Sequence, residues 1–140
     1  MNRTITVQHN GSTYYAKVAR IESTMIGTQD HGILTAFLHC EGDGWGVGVG
    51  GFALDQYDKA AEKRITTAYG LDHIVQIMTT VGVDTWEKIP GREVLVLFDS
   101  EHSWGSKAVG LAHISDESKV LILKEHVAEW KAREGTQEED

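Results

Sequence analysis

Ile5 and Val7 alternate with polar neighbours, and Tyr14, Ala16 and Val18 alternate again after Asn10-Gly11. A period of two puts each set on one face of a strand, and Asn-Gly supplies the positive-φ positions of a type I′ turn, so the segment predicts a β-hairpin. Gly27 to Gly32 reads as an ordered loop, and the apolar run Ile33–Cys40 as a strand. Its return strand, Trp45–Leu54, follows through Gly42-Asp43-Gly44. Glycines at 42, 44, 46, 48, 50 and 51 leave Trp45, Val47 and Val49 on one face and bare backbone on the other. Such a strand is expected where a bulge, a ligand or another backbone comes close. Residues 55–64 are polar and read as a surface loop.

Helical spacing begins after Thr66-Thr67. Leu71, Ile74, Ile77/Met78 and Val81 form one stripe, a threonine caps its start and Gly82 its end. Gly70 inside the first turns costs about 1 kcal/mol relative to alanine, so something is expected to press against it. Asp84 is placed to cap a short turn holding Trp86 and Ile89, which Pro90-Gly91 stops. Arg92–Phe98 alternates as a strand, with Lys107–Ile114 as its partner. Val120, Leu123, Val127 and Trp130 fit an amphipathic helix over 116–134, although 119–123 taken alone also fits a strand. Strands, a helix, strands and a helix without internal repeats predict a single α+β domain over residues 1–134, an antiparallel sheet of about six strands with two α-helices, followed by an acidic disordered tail at 135–140.

The length of 140 residues suits one domain, and 41% hydrophobic with 24% charged residues is ordinary for a globular chain. No 18-residue apolar run is present and the first residues lack a secretory core, so the chain reads as cytoplasmic. One cysteine excludes an internal disulfide, and a net charge of −8 opposes binding to a long nucleic acid. A few cations and backbone amides lining one pocket can still hold a small anion against that average charge. Seven histidines show no metal-ligand spacing, so no metal is expected. Cys40 falls mid-strand and reads as a buried apolar residue, with His39 on the opposite face. Ser103 and Ser106 lack the nucleophile-elbow pattern, and no catalytic triad is visible. What remains is a binding inventory: stacking aromatics, glycine backbone, Arg64, Arg92 and Lys107 for phosphates, and an acid and imidazole in Asp30-His31-Gly32. Trp45 and Trp86 read as core, and Trp104 as the exposed aromatic.

Four stretches taken together resemble a known family. They are residues 21–35 with Asp30-His31-Gly32, the glycine run into Gly50-Gly51-Phe52-Ala53-Leu54-Asp55, then Thr67-Ala68-Tyr69-Gly70, and Val81-Gly82-Val83-Asp84-Thr85-Trp86-Glu87. In this order they resemble the first type of Thoeris anti-defence protein, small proteins of phages and prophages. The resemblance covers about residues 21–92 and the strand ending at Ile114. It implies an antiparallel sheet with helices, assembled as dimers grouped into hexamers. It further implies binding and sequestration of cyclic ADP-ribose isomers made by bacterial TIR enzymes, and of cyclic oligonucleotides in some members, without cleavage and without a cofactor. Carried onto this chain, the pocket positions are Asp30, His31, Gly50, Gly51, Phe52, Thr67, Ala68, Tyr69 and Arg92. Phe52 or Tyr69 would stack on adenine, the Gly50-Gly51 amides and Arg92 would meet the pyrophosphate, and Asp30 or His31 would hold ribose hydroxyls. Val47 and Val49 depart from a more polar glycine strand. The amphipathic segment beyond Ile114 is an addition, whose Leu123/Val127/Trp130 stripe is expected to serve assembly. Two other readings remain open: an enzyme that hydrolyses a cyclic nucleotide with His31 as base and Arg92 stabilising charge, and an acidic protein-interaction module with no small-molecule ligand.

Overall fold

A computed structural model describes residues 5–101 and 108–133. Ser103, Trp104, Ser106, Lys107 and the acidic tail lie outside the described residues. Strands β1 (Ile5–His9) and β2 (Ser12–Asp30) form the first hairpin, with Asn10 at φ 50° and Gly11 at φ 81°. The expected turn chemistry is therefore in place.

β2 does not stop at Gly27. It runs for 19 residues and turns only at His31-Gly32 (φ 54° and 81°) into β3 (Ile33–Gly42), pairing Gly27 with Thr35 and Asp30 with Ile33 across an irregularity. The ordered loop expected over Gly27–Gly32 is thus a strand end and a two-residue turn, which polar residues exposed on both faces had concealed. β4 (Trp45–Gly50) returns along β3 and ends four residues earlier than expected: Gly50 and Gly51 adopt positive φ (124° and 97°), and the ladder stops at the Phe37–Gly50 pair. Residues 55–64 are no loop either: β5 (Asp55–Asp58) and β6 (Lys63–Thr66) form a small hairpin of their own, closed by an ion pair from Arg64 to Asp55 at 2.8 Å.

α1 (Ala68–Val81) begins at Thr67, whose hydroxyl accepts from the Gly70 N–H at 3.0 Å, and ends at Gly82 in the left-handed region (φ 94°). A 3-10 turn over Trp86–Lys88 follows, capped by Thr85 without a side-chain bond; Asp84 pairs with Lys88 instead. β7 (Glu93–Phe98) inserts beside β2, then β8 (Gly110–His113) and β9 (Val120–Ile122) complete the sheet. The helix expected over 116–134 is therefore a short strand leading directly into α2 (Leu123–Arg133). Val120–Ile122 pairs with β8, and that pairing outweighs the helical spacing the same residues satisfy.

The result is an antiparallel α+β fold with a seven-stranded sheet: six strands run in the order β4-β3-β2-β7-β8-β9, and the seventh, β1, shares one edge of β2 with β3. α1 covers one face through Ile77 and Val81, packed with Ile21, Leu38, Cys40, Val94, Val96 and Leu111. Cys40 is fully buried and burial pushes its thiol up to about 12, which makes it a packing residue, as expected, while His39 on the outer face bonds Glu41. Trp45 of β4 meets Phe98 of β7 edge-on, and Trp86 donates to Thr24 at 3.0 Å, which ties the 3-10 turn to β2. Among the described residues no helix is long and apolar enough to cross a membrane.

Candidate functional site

Three of the four motif stretches converge on the first half of β3. Gly51 donates to the Ala36 carbonyl at 3.0 Å and Leu54 to the Leu34 carbonyl at 2.8 Å, so the 51–55 linker runs on beside β3 after β4 has ended. Asp55 accepts from the Leu34 N–H at 3.3 Å, and the Arg64 guanidinium bonded to its carboxyl holds it below the usual range. The Leu54 carbonyl accepts from the Thr67 hydroxyl at 2.7 Å. A Cβ at Gly70 would run into that same carbonyl, and one at Gly50 into the Ala36 carbonyl. These glycines are thus required by backbone contact inside the fold. The pressure expected on Gly70 comes from Leu54.

Asp30 and His31 project just beyond this seam at the β2–β3 turn, bonded to each other at 2.8 Å, with side chains 57% and 90% exposed. Ala68 is exposed and Phe52 half-buried against the core. Contacts within the chain engage or separate several of the other expected residues. The Gly51 N–H is spent on Ala36 and the Thr67 hydroxyl on Leu54 and Gly70. Arg92 stands apart, exposed between the 3-10 turn and β7, with its backbone bonded to Ile21 and Ile89. It does not meet Gly50-Gly51. Tyr69 turns inward, its ring 5.6 Å from His73 and 5.2 Å from His126, which leaves little face for adenine. Phe37 supplies the exposed ring at the seam instead: it is 37% exposed, lies beside Gly48 and covers Gly51, where a Cβ would run into the ring. Alternation within Ile33–Cys40 places Phe37 on the bare-glycine face, and that was the available signal.

A second cluster joins α1 to α2. His126 donates from Nε2 to Asp72 at 2.8 Å, Trp130 donates to the same carboxylate oxygen at 3.0 Å, and the Nδ1 atoms of His73 and His126 lie 3.3 Å apart. His73 is 1% exposed and His126 7%. Burial and the neighbouring imidazole charge lower His73 to about 4, against a smaller upward pull from Asp72. Burial raises Asp72, but bonds from His126, Trp130 and Gln76 outweigh it and hold the carboxyl below its ordinary value. The Tyr69 hydroxyl is buried with no hydrogen-bond partner among the described residues, and burial pushes it up to about 12. Beside the cluster lies an open polar recess of about 300 Å³, lined by His9, Asp72, Glu125, His126, Trp130 and Arg133 among others. Of the Leu123/Val127/Trp130 stripe, Leu123 is buried within the chain and the half-buried Trp130 is bonded to Asp72. Both ring nitrogens of His126 are engaged within the chain, so the Asp72–His126 pair presents no nitrogen to a substrate. Among the described residues no group of three His, Cys, Asp or Glu could hold a metal ion.

No protein-family model, curated protein or solved structure matches this chain.

Proposed function

We propose that this protein is a phage-encoded anti-defence protein that binds cyclic ADP-ribose-type signals, and cyclic oligonucleotides in the same site, and sequesters them without cleavage. The observation that carries the reading is the convergence of three motif stretches on one seam: the β2–β3 turn, the Gly50–Asp55 linker and the first turn of α1 meet through Leu34, Ala36 and Leu54. That seam offers what a dinucleotide requires. Phe37 presents a ring for a base, Asp30 and His31 present polar groups for ribose, and the first turn of α1, where Thr67 caps Gly70, supplies a helix N-terminus of the kind that favours a phosphate. The ligand is bound by a homo-oligomer, dimer to hexamer, in the host cytoplasm.

Thermal unfolding with a panel of cyclic ADP-ribose isomers and cyclic di- and trinucleotides tests this, with chromatography of the ligand released afterwards. A ligand at 100 times its Kd stabilises the native state by about 2.7 kcal/mol, or roughly 5–12 °C here. The expected result is a shift with one class, the ligand recovered intact, and the shift lost in Phe37→Ala. An altered ligand would transfer the reading to an enzyme, and no shift with any member would end it in favour of a protein-interaction module.

A further inference from the structure

Two imidazoles that face each other through the same kind of nitrogen, away from water, can share a limited number of protons. Because His126 donates from Nε2 to Asp72, its neutral ring has a bare Nδ1, and His73 must donate to it from its own Nδ1 across 3.3 Å. One added proton is tolerated: His126 then donates from Nδ1, His73 moves its proton to Nε2, and Asp72 balances the charge at 2.8 Å. A second added proton is not. Both Nδ1 atoms then carry hydrogen, and two positive rings 5.4 Å apart between centroids face each other in a nearly dry junction.

We propose that the His73–His126 pair is an acid-sensitive latch, which holds α2 on α1 while at most one proton is shared and releases α2 when both rings are protonated. The groups around it leave little to offset the second charge. From α1 come Asp72, already bonded to His126 and Trp130, and the buried Tyr69 phenol, which is not an anion in this range. From α2, Glu125 is bonded to His9 and Asn10 of the first hairpin, Glu129 lines the open recess, and Arg133 lies over the Trp130 ring at 4.6 Å. The direction follows from linkage. His73 binds its proton less readily when folded, at about 4 against 6.5 when unfolded, so its contribution to stability is complete above 6.5 and is lost as pH falls toward 4.

The Trp130 indole N–H, bonded to Asp72, reports the docked helix and is read by NMR as pH is lowered, beside amides of β2, β3 and β7. The latch predicts that this signal disappears between about pH 6.5 and 4 with the steepness of about one proton, the second one, while the sheet amides stay protected. In His73→Phe/His126→Gln, which has no titrating ring in the junction, it persists until the sheet itself unfolds. Loss at the same pH in wild type and double variant overturns the latch, as does joint loss of helix and sheet signals. The wild type alone also decides it. If both rings gain protons independently near their ordinary value while Trp130 stays bonded to Asp72, no latch exists.

Discussion

α1 is held on two sides by different physics. At its first turn it meets the 51–55 linker through backbone: the Leu54 carbonyl takes the Thr67 hydroxyl and fills the space a Gly70 side chain would need. Toward α2 it is held by side chains: Tyr69, Asp72 and His73 meet His126 and Trp130. The first contact depends on the absence of atoms, so nearly any replacement of Gly70 breaks it at every pH. The second depends on where protons sit, so the same replacement-free chain can make it or lose it. A glycine approach fixes position; a histidine pair makes position conditional.

Gly70→Ala is expected to have the largest effect. Helix propensity alone predicts stabilisation by about 1 kcal/mol. A Cβ against the Leu54 carbonyl costs about 3 kcal/mol, the upper end for overpacking because backbone cannot relax by rotamer change, which leaves a net loss of about 2 kcal/mol. Chemical denaturation gives the sign directly, and a variant as stable as wild type would mean that the linker does not press on α1.

Thr67→Ala asks a smaller question of the same side. It removes the cap from Gly70 and the donor to Leu54 together, and is expected to cost about 1–2 kcal/mol with no change in its pH dependence between 4 and 7. A loss that grows with acidity would couple the seam to the histidine junction and blur the distinction. His31→Ala is the mildest. Its side chain is 90% exposed, so stability should stay within about 0.5 kcal/mol of wild type, while the ligand-induced rise in Tm falls if the β2–β3 turn contributes to binding. A destabilisation beyond about 1 kcal/mol would mean that the turn residue acts structurally, through its positive φ.

These contrasts also explain what could be read from the chain. Asn10-Gly11, Thr67 and Gly82 act through local backbone geometry, and each sits where its chemistry predicts. The α+β class followed from alternation interrupted by helical spacing. His31-Gly32 is a turn of the same type as Asn10-Gly11, but the polar Thr28-Gln29-Asp30 before it read as loop, because a strand exposed on both faces carries no alternation. Asp55 and Arg64 looked like surface charges, since their pairing appears only once a hairpin brings them together. The motif residues were legible as a set, yet much of what they do is structural: glycine approaches, a cap, and the Leu54 carbonyl that receives them. The histidine junction was illegible, because its partners are separated by 53 positions and neither lies in a recognisable spacing.

β2 carries a consequence for the chain as it is made. Its 19 residues receive β1 and β3 through tight turns within the first 42 positions, whereas the edge from Tyr15 to Arg20 waits for β7, which ends at Phe98. At a synthesis rate of about 5–20 residues per second, that edge stays open for several seconds on the ribosome, with Ala16, Val18 and Ala19 along it. A nascent chain halted before Glu93 should therefore be captured by strand-binding holdases, and one released after Phe98 should escape them.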